Sequence, residues 1–240
     1  LKFVLLAVSS LAFTSRQAGG QDAAPVWVVT ATAPDGGPLP VPRPPASMSE
    51  LLNRGKVSFA FYDAKRERRE YAGETRFDIQ YRYRNLSRWQ VMKEDGRRKL
   101  VIRSRFRQVE LTWTHTISLP VAMASERLYE QPLVLHELDH VRVSTHPALA
   151  ELFQKWLETE AEVITVQLAA DQTPDSQWIQ AQVKEATKPL FQRLMDLVRV
   201  RYQELDRVTS HGLYAVPDDF FPAPVPAPTT PAPTTPAPTR

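Results

Sequence analysis

An α+β domain is what this sequence predicts: an N-terminal antiparallel sheet, then a helical region carrying a His-Glu-x-x-His helix. Two patterns and a pair of prolines carry that reading. Between about residues 56 and 119, apolar residues alternate with polar ones, the period-two signature of half-buried strands. From about residue 121 to 210 the apolar spacing changes to threes and fours, as on amphipathic helices. Pro132 and Pro147 stand where helices can begin, because the first turn makes no use of the amide hydrogen that proline lacks. Strands first and helices second give an α+β order rather than an alternating one.

Residues 1–20 read as a secretory signal peptide. The apolar run from Phe3 to Phe13 follows Lys2 and is too short to span a bilayer, and the small residues Ala18 and Gly20 suit cleavage before Gln21. Residues 21–54 read as a Pro-rich linker, with proline and glycine concentrated between 34 and 45. The domain proper is expected over residues 55–221. Within it, Leu100, Ile102 and Phe106 alternate with Val101, Arg103, Arg105 and Arg107. Val109, Leu111, Trp113, Ile117 and Leu119 then alternate with Glu110, Thr112, Thr114, Thr116 and Ser118, giving two half-buried strands of a largely antiparallel sheet.

The helical half opens with the motif helix at Pro132. The next helix starts at Pro147 and carries Leu149, Leu152, Phe153, Trp156, Leu157 and Val163. A longer one starts near Asp175 and is expected to kink or break at Pro189. Residues 222–240 repeat Pro-Ala-Pro-Thr-Thr and predict a disordered Pro/Thr/Ala tail, extended and polyproline-like.

The chain has no cysteine, which excludes disulfides and thiolate metal sites; any metal must take nitrogen and oxygen ligands. A net charge of +3 is too small to point to nucleic acid, and no nucleic-acid-binding motif is present.

His136, Glu137 and His140 carry the chemistry. Histidines four apart share one face of a helix, so both imidazoles can grip one ion from the same side. The glutamate beside the first can reach a water on that ion and take its proton, the zincin-type arrangement for metal-assisted hydrolysis. Val134, Leu138 and Val141 put an apolar stripe on a different face of the helix. A catalytic zinc needs a third protein ligand, and three residues compete for that place. His146 has the extended metzincin spacing, but Val143 stands where that motif uses glycine to turn sharply. Glu160 has a thermolysin-like spacing but shares a charged helix face with Glu158 and Glu162. His211 follows the last helix, where Gly212 can turn the chain back toward the site.

Other features have plainer readings. Arg103, Arg105 and Arg107 share a strand face that is read as solvated. His115 is read as a hydrogen-bonded core histidine, and Trp156 and Trp178 as core residues at helical spacing.

Three stretches carry a family resemblance. They are the strand end Ile117-Ser118-Leu119-Pro120, the run His136-Glu137-Leu138-Asp139-His140, and Asp206-Arg207-Val208-Thr209-Ser210-His211-Gly212. Together they resemble the bacterial domain-of-unknown-function 922 family, described as secreted zinc-dependent proteases. The last stretch is similar to that family's late Tyr-Asp-x-x-Thr-x-His-Gly signature, with Leu205 at the tyrosine position. The resemblance spans about residues 55–222 and implies a zinc peptidase. It adds weight to His211.

The expectation is therefore an exported, secreted or envelope-located zinc-dependent hydrolase of the metallopeptidase kind. His136, His140 and His211 hold zinc, with His146 or Glu160 as the alternative third ligand. Glu137 is the general base toward the zinc-bound water and then the proton donor to the leaving amine. Tyr214 is a candidate oxyanion helper. The expected partner is a protein or peptide substrate, with no nucleic acid and no membrane span once the signal is removed. Two other readings stay open: a non-catalytic envelope protein with a structural zinc, and a module whose arginine-rich sheet holds an anionic polymer.

Overall fold

The computed structural model describes residues 28–217 and 220; the expected signal peptide and the Pro/Thr/Ala tail lie outside the described residues. The order of elements is β1 (Thr30–Thr32), α1 (Ala46–Gly55), β2 (Val57–Tyr62), β3 (Glu74–Glu94), β4 (Arg97–Pro120), α2 (Pro132–Ser144), α3 (Pro147–Glu160), β5 (Val163–Leu168) and α4 (Ser176–Thr209). The class is α+β, with the sheet in the N-terminal half and the helices after it.

A long hairpin, β3–β4, is the spine of the sheet. Asp95 and Gly96 both have positive φ (50° and 74°), the two-residue turn whose twist matches a hairpin. The two alternating runs expected as separate strands are one strand, β4. Their phases differ, and a bulge absorbs the difference: the register slips between Arg82 and Arg84, and Gln108 takes a φ of 50°. On its other edge β4 pairs in parallel with β2 near Ile117 and antiparallel with β5 near Ile102, so the sheet is mixed. β3 is an edge strand along its whole length.

Two expectations for the segments around the sheet are corrected. Residues 28–54 are not merely a linker: β1 pairs with β2, and α1 buries Leu51 and Leu52 in the core. The helix from Pro147 stops at Glu160, and Val163-Ile164-Thr165-Val166 forms a strand, as a β-branched run prefers.

Three apolar clusters lie on one side of the sheet. Phe59, Ile117 and Leu119 pack with Leu52, Val134, Leu138 and Val141 of α1 and α2. Leu100, Ile102 and Phe106, beyond the bulge, pack with Phe153 and Leu157 of α3 and Ile179, Val183 and Leu194 of α4. Between them, Ile79, Trp113 and Val143 meet Val198, Tyr202 and Leu205. α4 thus serves two clusters, and it does so unbroken: Pro189 lies inside a 34-residue helix instead of ending it. The buried stripe Val183, Leu190, Leu194, Val198, Tyr202 and Leu205 continues past the proline. Packing on both sides offsets the one helical hydrogen bond that proline cannot make.

Candidate metal centre

Pro132 occupies the first turn of α2, and Gln131 before it is extended, the conformation that proline favours in the residue before it. The helix buries more than a stripe. Val134, Leu138 and Val141 face the core, while His136, Glu137 and His140 are each at most 5% exposed against the end of α4 and the start of β3. The two histidine rings stand 4.8 Å apart, edge to face.

Their Nε2 atoms converge on one oxygen. Oδ1 of Asp206, in the last turn of α4, lies 3.1 Å from Nε2 of His136 and 3.0 Å from Nε2 of His140. His136, His140 and Asp206 form a group that could hold a metal ion, with all ligand atoms within 4.8 Å of one another. Burial alone would raise the Asp206 carboxyl, but the two histidines hold it well below the usual carboxylate range. An acid in the last turn of a helix opposes the helix dipole, so Asp206 is placed for a positive partner and not for the helix.

The hydrogen-bond chain behind His136 tests whether a cation fits. Thr209 has a single hydroxyl hydrogen, which goes to the Leu205 carbonyl at 2.7 Å. Toward Nδ1 of His136, 3.4 Å away, Thr209 is therefore an acceptor, and the imidazole hydrogen belongs on Nδ1. In the neutral ring the lone pair of Nε2 then faces Asp206 Oδ1. Two acceptors at about 3 Å call for a positive charge on the ring or between them. Nδ1 of His140 is buried without a hydrogen-bond partner among the described residues.

Glu137 sits beside this group. Burial pushes its carboxyl up, and a hydrogen bond from the Thr75 hydroxyl, at 2.6 Å from Oε2, pulls the other way, as do the two histidines. The β2–β3 connection closes on it so tightly that any side chain at residue 73 would displace the Glu137 carboxylate. A Cβ there would collide with Oε1 and lie 2.9 Å from Cδ of Glu137.

The three residues expected to compete for the third ligand place fare differently. His146 caps α3, its Nδ1 accepting the Ala148 amide at 3.3 Å, because Val143 stays helical and packs against Val198 and Leu205 instead of turning the chain back. Glu160 is at the far end of α3 in an ion pair with Arg193. His211 does return to the site. Ser210, His211 and Gly212 all have positive φ, and they swing the chain until the Gly212 backbone touches His136. Its ring, however, points to the rim, half exposed, stacked on Tyr71 at 4.1 Å, with Nδ1 3.6 Å from Asp206 Oδ1. The third converging group is Asp206, five residues earlier in the same stretch. Tyr214 is 67% exposed, and the aromatic ring at the rim is Tyr71 instead.

Behind the site a neutral chain of side chains locks α2 to the sheet. Nδ1 of His115 is 2.6 Å from the Gly55 carbonyl and so carries the hydrogen; Nε2 accepts from Ser144 at 2.7 Å, and Tyr202 donates to Ser144 at 3.0 Å. His115 is the buried, hydrogen-bonded core histidine expected. The ring of Tyr202 also leans on His140, 4.4 Å between centroids.

No family model, no curated protein and no solved structure matches this chain.

Proposed function

We propose that the chain is a zinc-dependent hydrolase of the peptidase kind, with His136, His140 and Asp206 as the metal ligands and Glu137 as the general base. The convergence of two imidazole Nε2 atoms and one carboxylate oxygen beside a buried, desolvated glutamate carries this reading. Nitrogen and oxygen donors in a set of three suit a catalytic zinc, which keeps one position open. When bound, zinc would supply Lewis-acid polarisation of the substrate carbonyl and a more acidic water. Glu137 takes the proton from the attacking water and delivers it to the leaving amine, a role that its raised pKa favours. Thr75 orients the carboxylate, Thr209 orients His136, and Tyr202 backs His140. His211 and Tyr71 stand at the rim, where a substrate would meet them.

A structural zinc remains the rival reading; it would need a fourth protein ligand, and among the described residues the group has three members. Export to the envelope or medium is part of the same proposal and rests on the apolar run from Phe3 to Phe13. Among the described residues no helix is long and apolar enough to cross a membrane.

Glu137→Gln tests the reading. It keeps shape and removes the base, so zinc content, measured by metal analysis, should match the parent. Hydrolysis of an unfolded protein substrate should fall about a hundredfold to ten-thousandfold. Unchanged hydrolysis, or loss of zinc, overturns the assignment.

A further inference from the structure

We propose that the solvent face of the sheet beyond the Gln108 bulge docks on an anionic lipid bilayer. The hairpin brings together arginines that are far apart in sequence. Arg84 pairs directly across from Arg107, Arg88 from Arg103, and Leu86 from Arg105; Val163 of β5 continues the Arg103 rung. All five arginines are exposed on one face, opposite the face that packs on α3 and α4.

Their charge is uncompensated. At the edges of the patch Arg82 pairs with Glu110 and Lys99 with Glu94, but none of the five has a carboxylate within ion-pairing distance among the described residues. Glu158 and Glu162 share a hollow with Arg105 and Arg107 at the margin of the patch without pairing. Like charges directly opposite on a ladder weaken it, so folding does not explain two such rungs. Every cation at these positions is arginine, whose planar, weakly hydrated fork suits phosphate oxygens.

The rest of the face selects the occupant. Leu86 and Val163 are 47% and 45% exposed among the guanidinium groups, and half-buried Val101 lies on the next rung beyond Arg103, across from Gln90 and Thr165. Aliphatic side chains interleaved with arginine fit the boundary between headgroups and acyl chains. No aromatic residue stands on this part of the face, so it offers no stacking platform for single-stranded nucleic acid. A sheet is broad, as a plane of headgroup phosphates is. Docking here leaves the metal group, on the helix side, uncovered.

The test is co-sedimentation of the full chain with phosphatidylcholine vesicles and with vesicles in which about a third of the lipid is phosphatidylglycerol. The N-terminal apolar run is flanked by Lys2 and Arg16 and adds an anionic preference of its own, so the charged face is read by comparing the parent with arginine variants on the same vesicles. We expect tighter binding to the anionic vesicles, weakened by salt. The double variant Arg88→Gln, Arg105→Gln should lose roughly thirtyfold in affinity, about fivefold per arginine. Leu86→Asn should weaken it further, and Arg76→Gln, already paired with Glu74, should not. The double variant's unfolding midpoint should not drop, because a repulsive rung is relieved. Equal binding to both vesicle types, or no effect of the double variant, overturns the proposal. So does arginine-dependent binding to soluble polyphosphate with none to the vesicles, which would identify an anionic polymer as the partner.

Discussion

The Thr75 hydroxyl stands 2.6 Å from Oε2 of Glu137, joining the start of the edge strand β3 to the motif helix across 62 residues of sequence. It opposes the burial that raises the Glu137 pKa. Thr75→Val keeps the shape and removes the donor. The carboxyl then loses support for its charged form, and its pKa rises further. A general base works only when ionised, so the acidic limb of the kcat/KM profile should move to higher pH while the alkaline limb stays. An acidic limb that stays in place would show that Thr75 does not act on the base.

Asp206 and His211 make opposing claims to the third ligand position, and zinc competition titrations separate them. Asp206→Asn removes the anionic oxygen between the two histidines and should weaken zinc more than about a hundredfold. His211→Ala should stay within about the ten- to hundredfold range of an outer-shell change. If the order is reversed, His211 swings in to bind the metal and the rim position seen here is a resting one.

Gly212 has a φ of +84°, and a Cβ on it would lie 2.8 Å from Cβ of His136. Gly212→Ala meets both the left-handed backbone penalty and that collision. Urea unfolding should show a loss of about 2 kcal/mol or more. A stability equal to the parent would mean that the 210–212 turn does not pack on the motif helix as described.

His115 gives a pH dependence of known sign. Burial holds its folded-state pKa below the ordinary value, and the Gly55 carbonyl only partly opposes this. As pH falls through about 6.5, the unfolded chain takes up a proton that the folded one refuses, so stability is present above that pH and lost below it. Urea midpoints of the parent should fall between about pH 7 and pH 5. His115→Gln should be less stable at the upper pH and flatter across that interval. Parallel slopes for the two proteins would assign the acid sensitivity to other groups.

Much of the site could be read in the sequence because its signals are local. The four-residue spacing of His136 and His140 fixes their shared helix face, and Gly212 marks a chain reversal. Asp206 stands in the stretch that carries the family resemblance, yet as a ligand it is hidden, because a carboxylate in the last turn of a charged helix looks like surface. What marks it is its place four residues after Tyr202, beside the buried stripe Val198, Tyr202, Leu205 and Thr209, but only the docking of α4 on α2 reveals that. In the sheet, the alternation of β4 was legible on both sides of Gln108, yet its continuity was not, since a bulge and a loop both appear as a lost phase. The arginines of β3 gained meaning only once the register set them across from those of β4.

In the proposed zinc form, the two ends of the metal group have a mechanical consequence. α2 contributes His140 and α4 contributes Asp206, 66 residues later. An ion gripped by both acts as a clasp that closes this long loop in any state that retains it. Closing a loop of that length removes conformational freedom from the denatured chain, as a disulfide would, in a protein that has no cysteine to make one. The stretch most dependent on that clasp is the one that it ends on: the last turn of α4 and residues 210–214. Chelation would then first loosen the C-terminal margin of the fold, while the cluster of Leu100, Phe153 and Ile179, which shares no residue with the metal group, stays packed.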